Sequence, residues 1–357
     1  MRVRTLGFHT RRPDPHPRPR AGLGTGRDTV ADRVRALDLG APVSWVRHCV
    51  SRRTVVLAGL ADGRHLVLKW PDDDLDPAGS READMLSLLW STPMTAEART
   101  ALPSAVPVTG GGQITAYDAL HPAASLRELL DTGALRTGHV DTLATALAGL
   151  HTARWTADVL TDPDLRMSAP APRTTLLSVA EYACGVGAEF DTWIRAVQRL
   201  SDAFGELHRG WDPRGLIHFD LRDDNVLFTT GTTASTAVRI IDWEFAAVGD
   251  PHYDVGYVVA QFVLHALRSS GRPSIPAATL HTIDRLVTVY HSQAPAPGAA
   301  LLKTVRYAGL VLLQQAGARL ELFGSLGRTG HLSLLLAEGL LRRPQTLLNR
   351  LSPQGAP

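Results

Sequence analysis

The sequence has little of what stabilises a secreted or membrane-embedded protein. Its 357 residues include two cysteines, Cys49 and Cys184, too few for a disulfide framework or a set of thiolate ligands. The longest apolar stretches fall short of the roughly 18 to 20 residues that span a bilayer. Residues 1–20 lack the apolar segment of a secretory signal. These absences predict a cytoplasmic protein with no membrane partner.

A strong net charge is also absent. The 37 basic and 35 acidic side chains leave a formal charge of +2, so no long-range field directs the protein to nucleic acid. Lysine is scarce: the sequence has two lysines, Lys69 and Lys303, and 35 arginines. A chain that uses arginine for generic positive charge retains lysine where a compact point charge is needed. We expect this of Lys69, in the apolar run LVLKW, and expect no function for Lys303.

Hydrophobic periodicity indicates a tail followed by a small sheet-rich lobe. Residues 1–27 are rich in arginine and proline, and we expect a poorly ordered tail. Residues 28–118 contain short β-branched and apolar runs separated by turn residues such as Asp62 and Gly63, which predicts antiparallel strands. The predicted elements are helices at residues 28–39 and 80–90, strands at 43–50, 54–60 and 65–70, and two short strands within 105–117.

Residues 119–357 are predicted to form a larger, mainly helical lobe. Apolar residues recur there at helical spacing and predict core-facing stripes, namely Leu143, Leu147 and Leu150, and Phe190, Ile194, Val197, Leu200, Phe204 and Leu207. A β island interrupts the helices at residues 216–219, 226–228 and 238–241. Because the length exceeds what one core usually spans, we predict an α+β fold with two lobes, a five-stranded antiparallel N-terminal lobe with one key helix and a helical C-terminal lobe.

Polar residues cluster around the β island in the segments HFDLRDDN, from residue 218, and IIDW, from residue 240. Transfer of a phosphoryl group needs a carboxylate to accept the hydroxyl proton and oxygen ligands for Mg²⁺. Asp220 leaves a strand for a loop, Asn225 lies five residues later, and Asp242 ends a strand whose predicted partner is the strand at 226–228. The spacing predicts that Asp220 is a catalytic base and that Asn225 and Asp242 bind Mg²⁺. The alternative is that these are surface carboxylates on turns.

A second pattern pairs Lys69 with Glu82. An unpaired ammonium on a buried strand is very costly, so a lysine there needs a partner, which a glutamate on the following helix and the phosphates of a nucleotide would supply. The pattern predicts that both residues bind the nucleotide. The alternatives are an exposed edge-strand charge for Lys69 and a solvated helix face for Glu82.

These motifs resemble those of the aminoglycoside phosphotransferase and choline kinase-like family, relatives of protein kinases. The segments LIHFDLRDDNVLF and IIDWEFAAVGDPHYDVG carry the resemblance most specifically, and it extends from residue 43 to at least residue 263. It implies ATP and Mg²⁺ as cofactors, with Asp220 as base. It also implies a hinge at residues 116–121 where Tyr117, Asp118 and Leu120 meet adenine, and it gives Asp254 the role of bracing the catalytic loop.

The sequence departs from that family in places that concern the phosphates. The segment HCVSRRT, residues 48–54, has no glycine where a glycine-rich loop would cover them, so Ser51 and the two arginines after it are either phosphate contacts or exposed turn residues. Phe219 stands where many aminoglycoside kinases have glycine. Arg222 lies two residues after Asp220, where protein kinases carry a lysine that reaches the γ-phosphate, and it is either a phosphate contact or a surface charge.

The acceptor is the least defined part of the prediction. We expect a hydroxyl of a small molecule, aminoglycoside-like or an amino alcohol. Residues 269–357 contain few carboxylates, namely Asp284, Glu321 and Glu338. A polycationic aminoglycoside would need more acidic side chains than these to bind it. Two alternatives stay open. One is a Ser/Thr peptide kinase that acts with a partner enzyme in a peptide natural-product pathway, and the other is an ATP-binding pseudokinase scaffold, suggested by the missing glycine-rich loop.

Overall fold

An antiparallel sheet of five strands forms the first part of the fold. The computed structural model describes residues 30–49, 54–70, 77–108, 114–170, 188–230, 236–294 and 299–351. The strands are β1 (Val43–His48), β2 (Val55–Leu60), β3 (His65–Lys69), β4 (Ala105–Val106) and β5 (Thr115–Asp118), in the order β1-β2-β3-β5-β4. This confirms the predicted five-stranded antiparallel lobe.

Alternation along these strands divides the sheet into an apolar face and a face that carries Lys69. Val56, Ala58, Leu66 and Leu68 point to one side and pack with Val34 of helix α1 (Val30–Arg35) in a small core. Successive side chains of a strand point to opposite faces. Lys69, one residue after Leu68, therefore lies on the face opposite this core.

Helix α2 (Pro77–Ser91) packs into the larger core through Met85, Leu86 and Leu89. This larger core lies mainly in the helical part of the chain. Its other helices are α3 (Ala96–Thr100), α4 (Leu126–Asp131), α5 (Thr137–His151), α6 (Ala157–Thr161), α7 (Ala188–Arg199), α8 (Ser201–Arg209), α9 (Pro251–Ser270), α10 (Ala277–Gln293), α11 (Ala299–Phe323), α12 (Gly327–Arg342) and α13 (Pro344–Leu351). The small sheet lobe and this helical part confirm the predicted fold class.

The predicted β island consists of two small sheets. Strands β6 (Ala123–Ser125), β8 (Val226–Thr229) and β9 (Val238–Ile240) form one, in which Val226 pairs with Ile240 as the hairpin prediction required. Strand β7 (Gly215–Ile217) pairs instead with β10 (Ala247–Gly249) in a second, antiparallel sheet. The two loops that carry the predicted site residues leave β7 and β9, and hydrogen bonds described below join them.

No helix among the described residues combines the length and the apolar character needed to cross a membrane. The arginine-rich tail, residues 1–27, lies outside the described residues.

Candidate active site

Lys69 and Glu82 meet between strand β3 and helix α2. The lysine Nζ lies 2.9 Å from each carboxylate oxygen of Glu82, whose side chain is buried. Burial by itself disfavours the charged lysine, but the negative charges of Glu82 and then of Asp242 outweigh it and raise the pKa of Lys69 above its ordinary value. Lys69 is therefore a fixed cation, held in position by a buried carboxylate.

Asp242 approaches the same ammonium from the loop after β9. Its Oδ1 lies 2.5 Å from Nζ of Lys69, and 39% of its side chain remains exposed. Burial alone would raise the pKa of this carboxyl, but the adjacent Lys69 outweighs it and lowers the pKa below the ordinary value. Asp242 is thus an ionised carboxylate that keeps part of its surface open to a ligand.

The carboxylate of Asp220 accepts two side-chain hydrogen bonds. The hydroxyl of Tyr257 donates to Oδ1 over 3.0 Å, and Nε of Arg222 donates to Oδ2 over 3.0 Å. Asn225 donates from Nδ2 to the backbone carbonyl of Asp220 over 2.9 Å, which closes the loop between them. Because its amide nitrogen is used within the loop, the side-chain oxygen is the part of Asn225 left to act as a ligand.

His218 and Asp254 hold this loop in place. Asp254 accepts hydrogen bonds from the backbone N–H groups of His218, at 2.7 Å, and Phe219, at 2.9 Å. Nε2 of His218 lies 2.8 Å from the carbonyl oxygen of Ile241, and Nδ1 lies 3.3 Å from the N–H of Asp220. These partners assign the proton to Nε2 and the acceptor role to Nδ1. His218 thereby joins the loop of Asp220 to the loop of Asp242.

Two residues of the site have a left-handed backbone. Phe219 has φ of +71° and Asp242 has φ of +64°, and they are the two non-glycine residues with positive φ in the described part of the chain. This conformation costs an L-residue about 1–2 kcal/mol, and such outliers cluster at functional sites. The ring of Phe219 stacks on that of Tyr253, with centroids 4.9 Å apart, and this contact helps to hold the strained residue.

Asp223, which sequence reasoning did not assign to the site, is fully buried in the same loop. Arg127 of α4 donates to its Oδ1 from Nη2 at 2.7 Å and from Nε at 3.1 Å, and Arg268 of α9 donates to Oδ2 at 3.0 Å. The loop is thereby tied to two helices. Because these partners lie 96 and 45 residues away in the sequence, no local pattern points to them.

The predicted hinge lies at the end of strand β5. The N–H of Asp118 donates to the carbonyl of Ser104 at 2.8 Å, and the carbonyl of Asp118 accepts a hydrogen bond from Arg239 at 3.0 Å. The ring of Tyr117 lies 5.8 Å from Nζ of Lys69. Burial and the charge of Glu82 raise the pKa of Tyr117 to about 12. Leu120, the third predicted hinge residue, is half-buried.

One predicted phosphate contact, Ser51, lies outside the described residues together with the arginines that follow it. The structure brings together five of the other predicted residues through the contacts given above, namely Lys69, Glu82, Asp220, Asn225 and Asp242. Arg222 joins them by its contact with Asp220. Tyr257 and Asp223 are additions that the fold reveals.

The whole arrangement lies within a segment that matches a known protein family. A model of the phosphotransferase enzyme family, APH, matches residues 48–286, which is more than half of the chain. The chain belongs to this family. Membership confirms the predicted enzyme class, a phosphotransferase, and the predicted resemblance. No curated protein matches this phosphotransferase at a significant level.

Solved structures resemble this phosphotransferase over most of its length. A microcompartment-associated aminopropanol kinase is 21% identical and has a TM-score of 0.50, with 86% of this chain and 94% of that chain covered. The aminoglycoside phosphotransferase APH(2'')-Ib, in an ADP-bound structure, is 15% identical and has a TM-score of 0.53, with 84% and 95% covered. At these identities the similarity shows the fold, which is the predicted kinase-like one.

Proposed function

We propose that this phosphotransferase transfers the γ-phosphoryl group of ATP, in the presence of Mg²⁺, to a hydroxyl group of a small molecule. The observation that carries the proposal is the position of Lys69, whose ammonium contacts Glu82 at 2.9 Å and Asp242 at 2.5 Å. The Asp242 loop is joined to the Asn225 loop by a hydrogen bond from the N–H of Ile241 to the carbonyl of Asn225, at 3.0 Å. These contacts support the proposal, because the cation that would bind phosphate lies against one oxygen donor and the loop of the second donor is joined to it.

The oxygen donors fit the expected metal ion. Mg²⁺ prefers oxygen ligands and is usually bound through one or two carboxylates together with the phosphates of its substrate. Asp242 offers a partly exposed carboxylate, and Asn225 offers an amide oxygen. These two residues would hold the ion, which when bound would neutralise charge on the phosphates. Lys69 would bind the same phosphates, and Glu82 fixes its position.

Asp220 would act on the acceptor. Its carboxylate would orient the acceptor hydroxyl and take its proton as the oxygen attacks the γ-phosphorus. Arg222 would contact the transferring phosphate, because its guanidinium lies beside Asp220 and remains partly exposed. The strained backbone at Phe219 and the contacts of Asp254 and His218 would hold Asp220 at this position.

The acceptor class we favour is an amino alcohol or an aminoglycoside-like compound. The two solved neighbours named above are an aminopropanol kinase and an aminoglycoside phosphotransferase, which supports a small-molecule acceptor over a peptide. The scarcity of carboxylates in residues 269–357 favours the smaller, less cationic amino alcohol. The side chains required for transfer are present, which favours an active enzyme over a pseudokinase.

The decisive experiment is transfer of label from γ-labelled ATP with Mg²⁺ to a panel of amino alcohols, aminoglycosides and Ser/Thr peptides. Asp220→Asn should retain ATP binding and lose about 10²- to 10⁴-fold in turnover, the usual contribution of a general base. Asp224→Asn is the matched control, because it makes the same change in charge within the same loop, and it should stay close to wild type.

Two results would contradict the proposal. Label on peptides alone would favour the peptide kinase alternative. Magnesium-dependent ATP binding without transfer to any acceptor would favour the pseudokinase.

A further inference from the structure

Tyr257 holds the carboxylate of the proposed base from the side of helix α9. Its hydroxyl donates to Oδ1 of Asp220 over 3.0 Å and accepts a hydrogen bond from Nε2 of Gln315, on α11, over 3.0 Å. Tyr257 follows Asp254 by three residues, so the two lie on the same face of the helix. Helix α9 therefore fixes both the backbone of the loop, through Asp254, and the side chain of Asp220, through Tyr257.

The two donors to Asp220 differ in how freely they can move. The side chain of Arg222 is 44% exposed, whereas Tyr257 is 5% exposed and is held at its hydroxyl by Gln315. Burial, and then the adjacent charge of Asp220, raise the pKa of the Tyr257 phenol well above its ordinary value. The phenol therefore stays protonated and can only donate to Asp220. Arg222 can leave Oδ2, while Tyr257 stays on Oδ1.

We propose, resting on the proposed function, that Tyr257 is a positioning residue that fixes Oδ1 of Asp220 and thereby makes Oδ2 the oxygen that accepts the proton of the acceptor hydroxyl. Arg222 releases Oδ2 when its guanidinium turns to the transferring phosphate. The acceptor O–H bond then breaks and its proton moves to Oδ2. The acceptor oxygen bonds to the γ-phosphorus, and the bond from that phosphorus to the β–γ bridging oxygen breaks, which releases ADP.

Loss of the phenol would leave the base present but misplaced. The terminal torsion of an aspartate is broad, so a carboxylate without a fixed partner samples many orientations. A displacement of about 1 Å in a reacting group can cost about 10²-fold in rate. The effect should appear in kcat, because the hydroxyl of Tyr257 is hydrogen-bonded to Asp220 and Gln315, whereas the nucleotide would be bound by Lys69, Asp242 and Asn225.

The chain offers a matched control one helical turn away. Tyr253 also lies buried on α9, and its hydroxyl donates to Oε1 of Gln314, the neighbour of Gln315, over 3.1 Å. Tyr257→Phe and Tyr253→Phe each remove one hydroxyl hydrogen-bonded to a glutamine of α11 and keep the ring. The contact with Asp220 is lost in Tyr257→Phe. A purely structural role would therefore give the two variants similar kinetics.

We expect Tyr257→Phe to lower kcat by about 10- to 100-fold, with KM for ATP within about twofold of wild type. Tyr253→Phe keeps the ring that stacks on Phe219 and loses only the hydroxyl, so both constants should stay within about twofold of wild type. Gln315→Met should lower kcat less than Tyr257→Phe does, and the double variant should be no slower than Tyr257→Phe alone, because the two residues act in one chain of hydrogen bonds. Equal kcat for the two tyrosine variants, or an effect confined to KM for ATP, would overturn the proposal.

A structural readout separates this inference from the proposed function. If the wild type transfers label to no acceptor, the proposed function fails, and crystal structures of the two variants still decide the role of Tyr257. A carboxylate of Asp220 that rotates in Tyr257→Phe and keeps its orientation in Tyr253→Phe supports positioning. An unchanged carboxylate in Tyr257→Phe rejects it.

Discussion

Both lysines of the chain form ion pairs with an aspartate, and the two pairs differ in how much of the carboxylate remains open. Lys303 lies 2.6 Å from Asp250, which caps the start of helix α9, and Lys69 lies 2.5 Å from Asp242 in the candidate active site. Asp250 is fully buried, whereas the side chain of Asp242 is 39% exposed. The same pair of residue types therefore occurs once with a buried carboxylate, the closed pair, and once with a partly exposed carboxylate, the open pair.

The closed carboxylate is surrounded by donors. Asp250 accepts hydrogen bonds from the N–H and Nδ1 of His252, the N–H of Asp212, the ammonium of Lys303 and the hydroxyl of Tyr307. A carboxylate has about four acceptor positions, so Asp250 has no capacity left for a ligand. The comparison teaches that an aspartate–lysine pair is a candidate site where the carboxylate retains acceptor positions and exposure, and is structural where it does not.

The largest effects should come from removing each carboxylate. Asp250→Ala leaves the partners of a buried ion pair without an acceptor, which typically costs about 3–5 kcal/mol in the free energy of unfolding. Asp242→Ala should lower that free energy by about 1 kcal/mol or less, because the pair is partly exposed, and should abolish magnesium-dependent nucleotide binding. Urea unfolding and calorimetric titration with ATP and Mg²⁺ measure the two properties.

The distinction between the two ion pairs would be wrong if Asp242→Ala lowered the free energy of unfolding more than Asp250→Ala does. A strongly destabilised Asp242→Ala protein would show that the pair of Lys69 and Asp242 is structural. Normal stability of Asp250→Ala would show that the buried cluster at α9 contributes little.

A smaller effect should appear in acid. Burial alone would raise the pKa of Asp250, but its hydrogen bonds from His252 and Lys303 lower it to about 2. Because the folded pKa lies below the ordinary value of 3.8, the stabilisation is complete above about pH 4 and is lost as the pH falls towards about 2. At 1.36 kcal/mol per pKa unit, the loss is about 2 kcal/mol.

Lys303→Met tests this dependence, with Lys303→Arg as the variant that keeps the charge. The difference in free energy of unfolding between wild type and Lys303→Met should be largest above pH 4 and should shrink as the pH falls, because protonated Asp250 gains little from an ammonium. Urea titrations between pH 6 and pH 2.5 measure the difference. A difference that does not change with pH would show that this ion pair is not the cause of the acid dependence.

The smallest effect concerns the strained backbone before the base. Phe219→Gly and Phe219→Ala both lose the stack on Tyr253, but glycine adopts a positive φ without steric cost, whereas alanine does so at a cost of about 1–2 kcal/mol. We expect Phe219→Gly to be about 1 kcal/mol more stable than Phe219→Ala in urea unfolding. Equal stability, or greater stability of the alanine variant, would show that the loop relaxes away from the φ of +71°.

Short-range spacing predicted the part of the site that lies on neighbouring strands and loops. Asp220 and Asn225 share one loop, and the β8–β9 hairpin brings Asp242 to it. The pattern of residues 218–243 was therefore sufficient to predict that these three residues lie together. The pairing of Lys69 with Glu82 followed from the cost of an unpaired buried ammonium. The positive φ of Phe219 was not predicted, although the family resemblance implied glycine at that position, a residue that adopts positive φ readily.

Long-range contacts could not be predicted in the same way. Tyr257 reaches Asp220 across 37 residues, and Arg127 reaches Asp223 across 96, so these contacts depend on how α4 and α9 pack. Lys303 was expected to have no function, and nothing in its local sequence pointed to its buried partner. The apolar residues predicted to form one stripe from Phe190 to Leu207 do pack in the core. They lie on two helices, because the helix is interrupted at Leu200.

The scarcity of lysine means that reagents acylating side-chain amines have two targets in this protein, Lys69 and Lys303, and both should react slowly because each ammonium is ion-paired with a carboxylate. The first lies in the candidate active site and the second lies beside the start of α9, so each modified peptide reports on one of the two ion pairs. A bound nucleotide that covers Lys69 would protect one peptide and leave the other as an internal standard. Occupancy of the candidate active site could then be followed by mass spectrometry in a crude mixture, without an assay for the acceptor.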